Sequence, residues 1–317
     1  MKSKSAKRVR LVLLLVVAAG CLFYYQFFTS RSTGDGPAGP AVDSKPFSAV
    51  WTEKQVELVG IGDSITAGLG AKRRSHSYVN RLIGNPDDEF ADMQGLCLSA
   101  VLPNLTHENL AVSGSTSEFH LEHIEFNLEM RSEDVFGIVV LTTGGNDLIH
   151  NYGRSPPVEC AMYGATHEEA EPWIEAFEGR LREILDCIES RFPGGCEIYL
   201  ADIYDPTDGV GDAPSIFLPD WPDGLRIHAA YNERIAKCAL ERSHVHMVPL
   251  YETFLGHGSH CKQFWRAHYD SSDPHYWYYS NVEDPNDRGY DAIRRVYLNS
   301  IVENTRLRGA VPVASVH

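Results

Sequence analysis

The chain predicts a doubly wound α/β domain, a parallel five-stranded sheet flanked by helices. Two observations predict it. Short aliphatic runs that are apolar on both faces alternate with helical-period segments from about residue 50 to 307, as strands covered by helices do. Three of these runs stop at Gly-Asp-Ser, Ser-Gly-Ser and Gly-Gly-Asn-Asp, turn-forming clusters suited to the carboxyl ends of strands, where such sheets gather their sites.

The elements follow in order. The first ten residues carry five cations and no acid, and Leu11 to Phe28 is an 18-residue run whose only clearly polar side chain is Gln26. As a helix this run is about 27 Å long, close to the hydrocarbon thickness of a bilayer. Cations ahead of it place the N-terminus in the cytoplasm and the bulk of the chain across the membrane, periplasmic or at the cell surface. The apolar run continues through Leu22-Phe23-Tyr24-Tyr25, beyond a cleavage point near Cys21, which favours a retained signal anchor over a cleaved or lipidated signal. Residues 29–49, rich in Gly, Pro, Ser and Asp, read as a linker, and the folded domain is expected over 50–317.

Within that domain, Val56 to Ile61 is the first strand and delivers Ser64. A short helix follows over Ser77 to Ile83, then a strand over Leu105 to Val112 ending at Ser113-Gly114-Ser115, and a helix through Phe119, His123, Phe126 and Met130. Phe136 to Leu141 is the third strand, ending in Thr142-Thr143-Gly144-Gly145-Asn146-Asp147, with a loop to Tyr163 after it. A helix over His167 to Arg191, a strand over Glu197 to Ile203, a loop over Asp205 to Asp223, a helix over Gly224 to Glu241 and a strand over His244 to Leu250 come next. Tyr251 to Asn281 is irregular and aromatic, and a last helix runs from about Pro285 to Leu307.

Setting aside the five leading cations leaves 23 basic against 43 acidic residues, a net charge of −20, which excludes a nucleic-acid partner and disfavours anionic surfaces. Six of the seven cysteines lie in the extracytoplasmic part, an even set that permits disulfides, with Cys187 and Cys196 one plausible bridge and free buried thiols the alternative.

Three strand-end blocks resemble the GDSL or SGNH hydrolases: Gly62-Asp63-Ser64-Ile65-Thr66, Asn109-Leu110-Ala111-Val112-Ser113-Gly114 and Gly144-Gly145-Asn146-Asp147. The resemblance spans about residues 55 to 305 and implies a flavodoxin-like, SGNH-type sheet. It makes Ser64 the nucleophile of a serine esterase that forms an acyl-serine. The oxyanion donors it implies are the Ser64 and Gly114 backbone amides and the Asn146 side chain. The chemistry agrees: a hydroxyl needs a base and preorganised donors, and a neutral amide is such a donor.

The fourth block departs from the family. Where Asp-x-x-His-Pro-Asn and then Gly-Tyr is usual, this chain has Asn281-Val282-Glu283-Asp284-Pro285-Asn286 and then Gly289-Tyr290, so that Asp284 stands at the histidine position and Asn281 at the aspartate position. Asp147-Leu148-Ile149-His150 repeats the spacing in the wrong block and reads as coincidence. An unperturbed carboxylate is a weaker base than imidazole by about 3.5 kcal/mol of driving force. A histidine imported from the preceding loop is therefore the expected base, His257 or His275 foremost, with Asp284 orienting it. Asp284 as direct base, or no working base at all, are the alternatives.

No cofactor and no metal is expected, since neither His257, His260, Asp273 and His275 nor Asp205, Asp208 and Asp212 fits a defined ligand spacing. The substrate expected is a small-molecule, glycan or lipid ester, with Trp265, Tyr269, Tyr276, Trp277, Tyr278 and Tyr279 available for stacking. The competing function is a non-catalytic carbohydrate- or lipid-binding domain on the same fold.

Overall fold

The computed structural model describes residues 2–150 and 157–308. Part of the loop expected before Tyr163 and the last nine residues of the expected domain lie outside the described residues. Five strands, β1 (Gln55–Ile61), β2 (Leu105–Asn109), β3 (Val135–Leu141), β4 (Cys196–Ala201) and β5 (Val245–Val248), form one sheet in the order β2-β1-β3-β4-β5, every neighbouring pair parallel. The nine α-helices among the described residues are α1 (Lys2–Tyr24), α2 (Ser64–Ala67), α3 (Tyr78–Ile83), α4 (Ser117–Asn127), α5 (Gly145–Ile149), α6 (His167–Arg191), α7 (Gly224–Leu240), α8 (Leu250–Phe254) and α9 (Asp287–Asn304).

β3 and β4 are buried along almost their whole length because both sheet faces are covered. On one face Leu58, Ile138 and Val140 pack with Tyr78 and Leu82 of α3 and Ile293, Tyr297 and Ile301 of α9. On the other, Val59, Val139 and Ile198 pack with Ile124 of α4, Phe177, Leu181 and Leu185 of α6 and Tyr231 and Ile235 of α7. The order reverses at β1, which has β2 on one side and β3 on the other, and this is where such sheets open a crevice.

Three sequence expectations are corrected. All seven cysteines are free, Cys187 and Cys196 included. Burial pushes the Cys160, Cys196 and Cys261 thiols up to about 12, which keeps them in the unreactive thiol form. The stretch read as a linker packs against the domain: the Ala38 amide donates to Asp291 Oδ2 at 3.0 Å, and Arg288 donates to the Asp35 and Pro37 carbonyls. Tyr276, Trp277 and Tyr278 belong to the core, so they are not free to stack on a ligand.

Candidate active site

β1 ends at Ile61, and the chain must turn at once to present Ser64. Gly62 has φ +152°, and a Cβ there would sit 2.3 Å from Thr142 Oγ1, so no other residue fits. Asp63 caps α2, accepting from the Ile65 amide at 3.1 Å and from Thr142 Oγ1 at 3.0 Å. It braces the turn rather than reacting. Burial, with Asp284 nearby, lifts its carboxyl to about 6.

Beyond β2, Gly114 adopts φ +83° with the His150 ring over it, so that a Cβ would lie 2.8 Å from His150 Cε1. The following Ser115 hydroxyl bonds His120 Nε2 at 2.6 Å, and His120 Nδ1 bonds Thr143 Oγ1 at 2.9 Å, tying the β2 loop to the β3 loop. Burial lowers His120 to about 4, so it works as a neutral strut. At the end of β3, Asn146 Nδ2 donates to the Ser115 carbonyl at 2.9 Å, which leaves its second hydrogen free. Neither the Ser64 nor the Gly114 amide has an acceptor among the described residues. Asp147 fastens this turn from behind, accepting from the Ser117 amide and hydroxyl and from Arg180.

The fourth block comes in on the loop before α9. Tyr278 and Pro285 bridge, and the Tyr279 amide donates to the Asp284 carbonyl at 2.7 Å, which folds 279–284 into a tight turn. Within that turn the β-branched Val282 is held at φ +62°, a strained conformation that the surrounding contacts enforce. Asn281 Nδ2 donates to the Asp284 carboxylate at 2.5 Å, and the Ser64 side chain comes near enough to the same carboxylate to lower its pKa. Asp284 is 3% exposed, and burial raises its pKa above the ordinary carboxylate value despite both neighbours. Asn281, Asp284 and Ser64 thus lie side by side in the places the sequence alignment gave to Asp, His and Ser.

The structure therefore brings Ser64, Gly114, Asn146 and Asp284 together, but it does not bring His257 or His275 to them. His257 lies flat on Trp277, ring centroids 3.4 Å apart, with Nδ1 on the His275 carbonyl, and His275 is bonded to Asp273 at 2.6 Å. Both line a second cavity of about 610 Å³ with Asp35, Asp273 and Arg288. The oxygens of Asp205 and Asp208 are taken by backbone amides and Thr207, and Asp212 by His260, so this loop is held by its own hydrogen bonds.

Ser64 and Asn146 open on a cavity of about 140 Å³ whose walls are mainly apolar. Two of its residues escaped sequence reasoning. His228 of α7 is half-buried, with Nε2 unpartnered and its pKa lowered by desolvation. Glu283 is lifted to about 7 by burial and by Asp284. Glu283 adjoins a recognised block and was within reach of the sequence. His228 is one of 14 histidines and carried no local signal.

A family model described as GDSL-like lipase/acylhydrolase matches residues 61–292. Among solved structures, a lipase from a goat rumen metagenome is 14% identical, with 80% of this chain and all of that one aligned at a TM-score of 0.51. A mutant of an acetyl-xylooligosaccharide esterase from Geobacillus is 17% identical over 81% of this chain and 98% of its own, also at 0.51. No curated protein matches significantly. The structural likeness carries the fold and the family model carries the motifs, and with both in place the chain belongs to the GDSL-like lipase/acylhydrolase family of enzymes acting on ester bonds.

Proposed function

We propose that this chain is a membrane-tethered extracytoplasmic serine esterase that works through an acyl-serine, with Asp284 as its base. The observation that carries this is a buried Asp284, held by Asn281 and facing the Ser64 side chain, whose basicity burial has raised. Asp284 takes the Ser64 proton as Oγ attacks the ester carbonyl. The carbonyl electrons move onto oxygen, where the Ser64 and Gly114 amides and the free Asn146 hydrogen receive the charge. Collapse of this intermediate expels the alkoxide, which leaves with the proton from Asp284. Water then repeats the sequence on the acyl-serine and releases the carboxylic acid. Asn281 keeps the carboxylate aimed at Ser64, the work an aspartate does for histidine elsewhere.

The tether reading is supported by the apolar helix Arg8–Thr29, with a mean hydropathy of 2.2 and none of its apolar window buried against the rest of the chain. Labelling by a fluorophosphonate tests the chemistry. Wild-type protein should be labelled and Ser64→Ala should not. A label that survives in Ser64→Ala removes the serine from the mechanism, and an unlabelled wild type favours a binding module. Asn146→Ala should lower kcat by about 10²–10³ with little change in KM, because the lost donor acts on charge that exists only in the transition state. Unchanged turnover in that variant refutes the assignment.

A further inference from the structure

The far end of the apolar N-terminal helix is not free of the domain. Trp265 packs on Phe23, Phe27 and Phe28 with centroids 5.8, 5.3 and 6.0 Å away, and Phe264 meets Phe27 at 5.7 Å. Gln263 donates to the Phe27 carbonyl and Lys262 to the Ser30 hydroxyl. Phe264 and Trp265 remain 61% and 42% exposed beside Tyr24 and Tyr25, so the span and the domain share one aromatic belt of the kind that sits at headgroup level.

The belt continues to the catalytic cavity. Arg31, just past the span, donates to the Ser215 carbonyl and lies 5.7 Å from the Phe217 ring. Phe217 is 79% exposed and held at φ +66°, a rare conformation for a bulky residue, which turns its ring outward. Its neighbours Ile216 and Leu218 point the other way and line the cavity that Ser64 opens on. One short loop is thus both cavity wall and exposed apolar rim, and it is fixed to the point where the chain leaves the membrane.

We infer that the cavity opens at the bilayer surface with Phe217 immersed among the headgroups, and that the substrate is a lipid ester resident in that same bilayer. This rests on the esterase and tether readings above. The acyl chain enters between Ile149, Ile203, Ile216, Leu218, Trp221 and Leu225, walls that would leave sugar hydroxyls unpaired. Continuity with the span selects the bilayer as the occupant of this exposed rim over a second protein.

The test uses the full chain in dioleoylphosphatidylcholine vesicles and has two arms. In the first, Phe217→Trp is compared with wild type for quenching by brominated lipid, and the added tryptophan should lose about half its emission. In the second, the rate on a fluorogenic diacyl phospholipid in the vesicle is divided by the rate on water-soluble 4-nitrophenyl butyrate. Phe217→Ser should lower that ratio about tenfold. No quenching, or two rates that fall in parallel, overturns the inference. A wild type that cleaves the butyrate but not the phospholipid overturns the substrate assignment alone. A wild type that cleaves neither overturns the esterase reading, and quenching still decides whether the rim is immersed.

Discussion

Asp284→Asn should lower kcat by about 10³–10⁴ and leave the fold standing, since the amide keeps the shape that Asn281 and Ser64 hold but cannot take a proton. The pH profile supplies an independent sign. A base works only when ionised, so wild-type activity should be lost as pH falls through the Asp284 pKa. Because burial raises that pKa, the acid limb should lie above the ordinary carboxylate value of 3.8. His257→Ala and His275→Ala should keep both the rate and the limb. A dead histidine variant beside an active Asp284→Asn would return the base to the imidazoles. Stability runs the other way. Asp63 at about 6 and Glu283 at about 7 are raised above their unfolded values. Their contribution is therefore full below pH 4 and lost as pH rises through 6 and 7.

The second large effect is on stability, at a site far from the chemistry. Asp291 of α9 is fully buried and accepts from Arg294, from Arg295 Nε at 3.0 Å and from the Ala38 amide, with Arg81 at 3.3 Å. Glu89 and Asp92 complete the cluster. Asp291→Ala leaves three buried guanidinium groups short of one carboxylate and should destabilise the fold by about 3–5 kcal/mol. For a domain of this size that is a fall in Tm of roughly 10 °C. Urea or thermal unfolding measures it, and a loss below about 1 kcal/mol would mean that water reaches these arginines.

The parallel sheet was legible because each strand is a run of aliphatic residues closed by turn formers, and burial on both faces leaves little freedom in such a pattern. Ser64, Gly114 and Asn146 were legible for the same reason, each lying on or just beyond a strand end. The base was not. Choosing a histidine weighed intrinsic basicity correctly, but nothing local to His257 or His275 says that one lies flat on Trp277 and the other pairs with Asp273. Burial of Asp284, which alters the comparison, is a property of the folded loop, and the Ser64 that it faces lies 220 positions away in the chain. The Gly and Pro content of residues 29–49 suggested slack for a similar reason: its partners, Arg288 and Asp291, lie on the last helix.

That docked strap has a consequence for where the domain can be parted from the apolar N-terminal helix. Residues 30–49 contribute the Ser32 carbonyl to Tyr276, the Ala38 amide to the buried Asp291 and the Ala41 carbonyl to Asn299. Trimming ahead of Val50 removes part of the fold and bares charged groups that had been sealed. With the strap docked in this way, a fragment that keeps its native α9 must begin near residue 30.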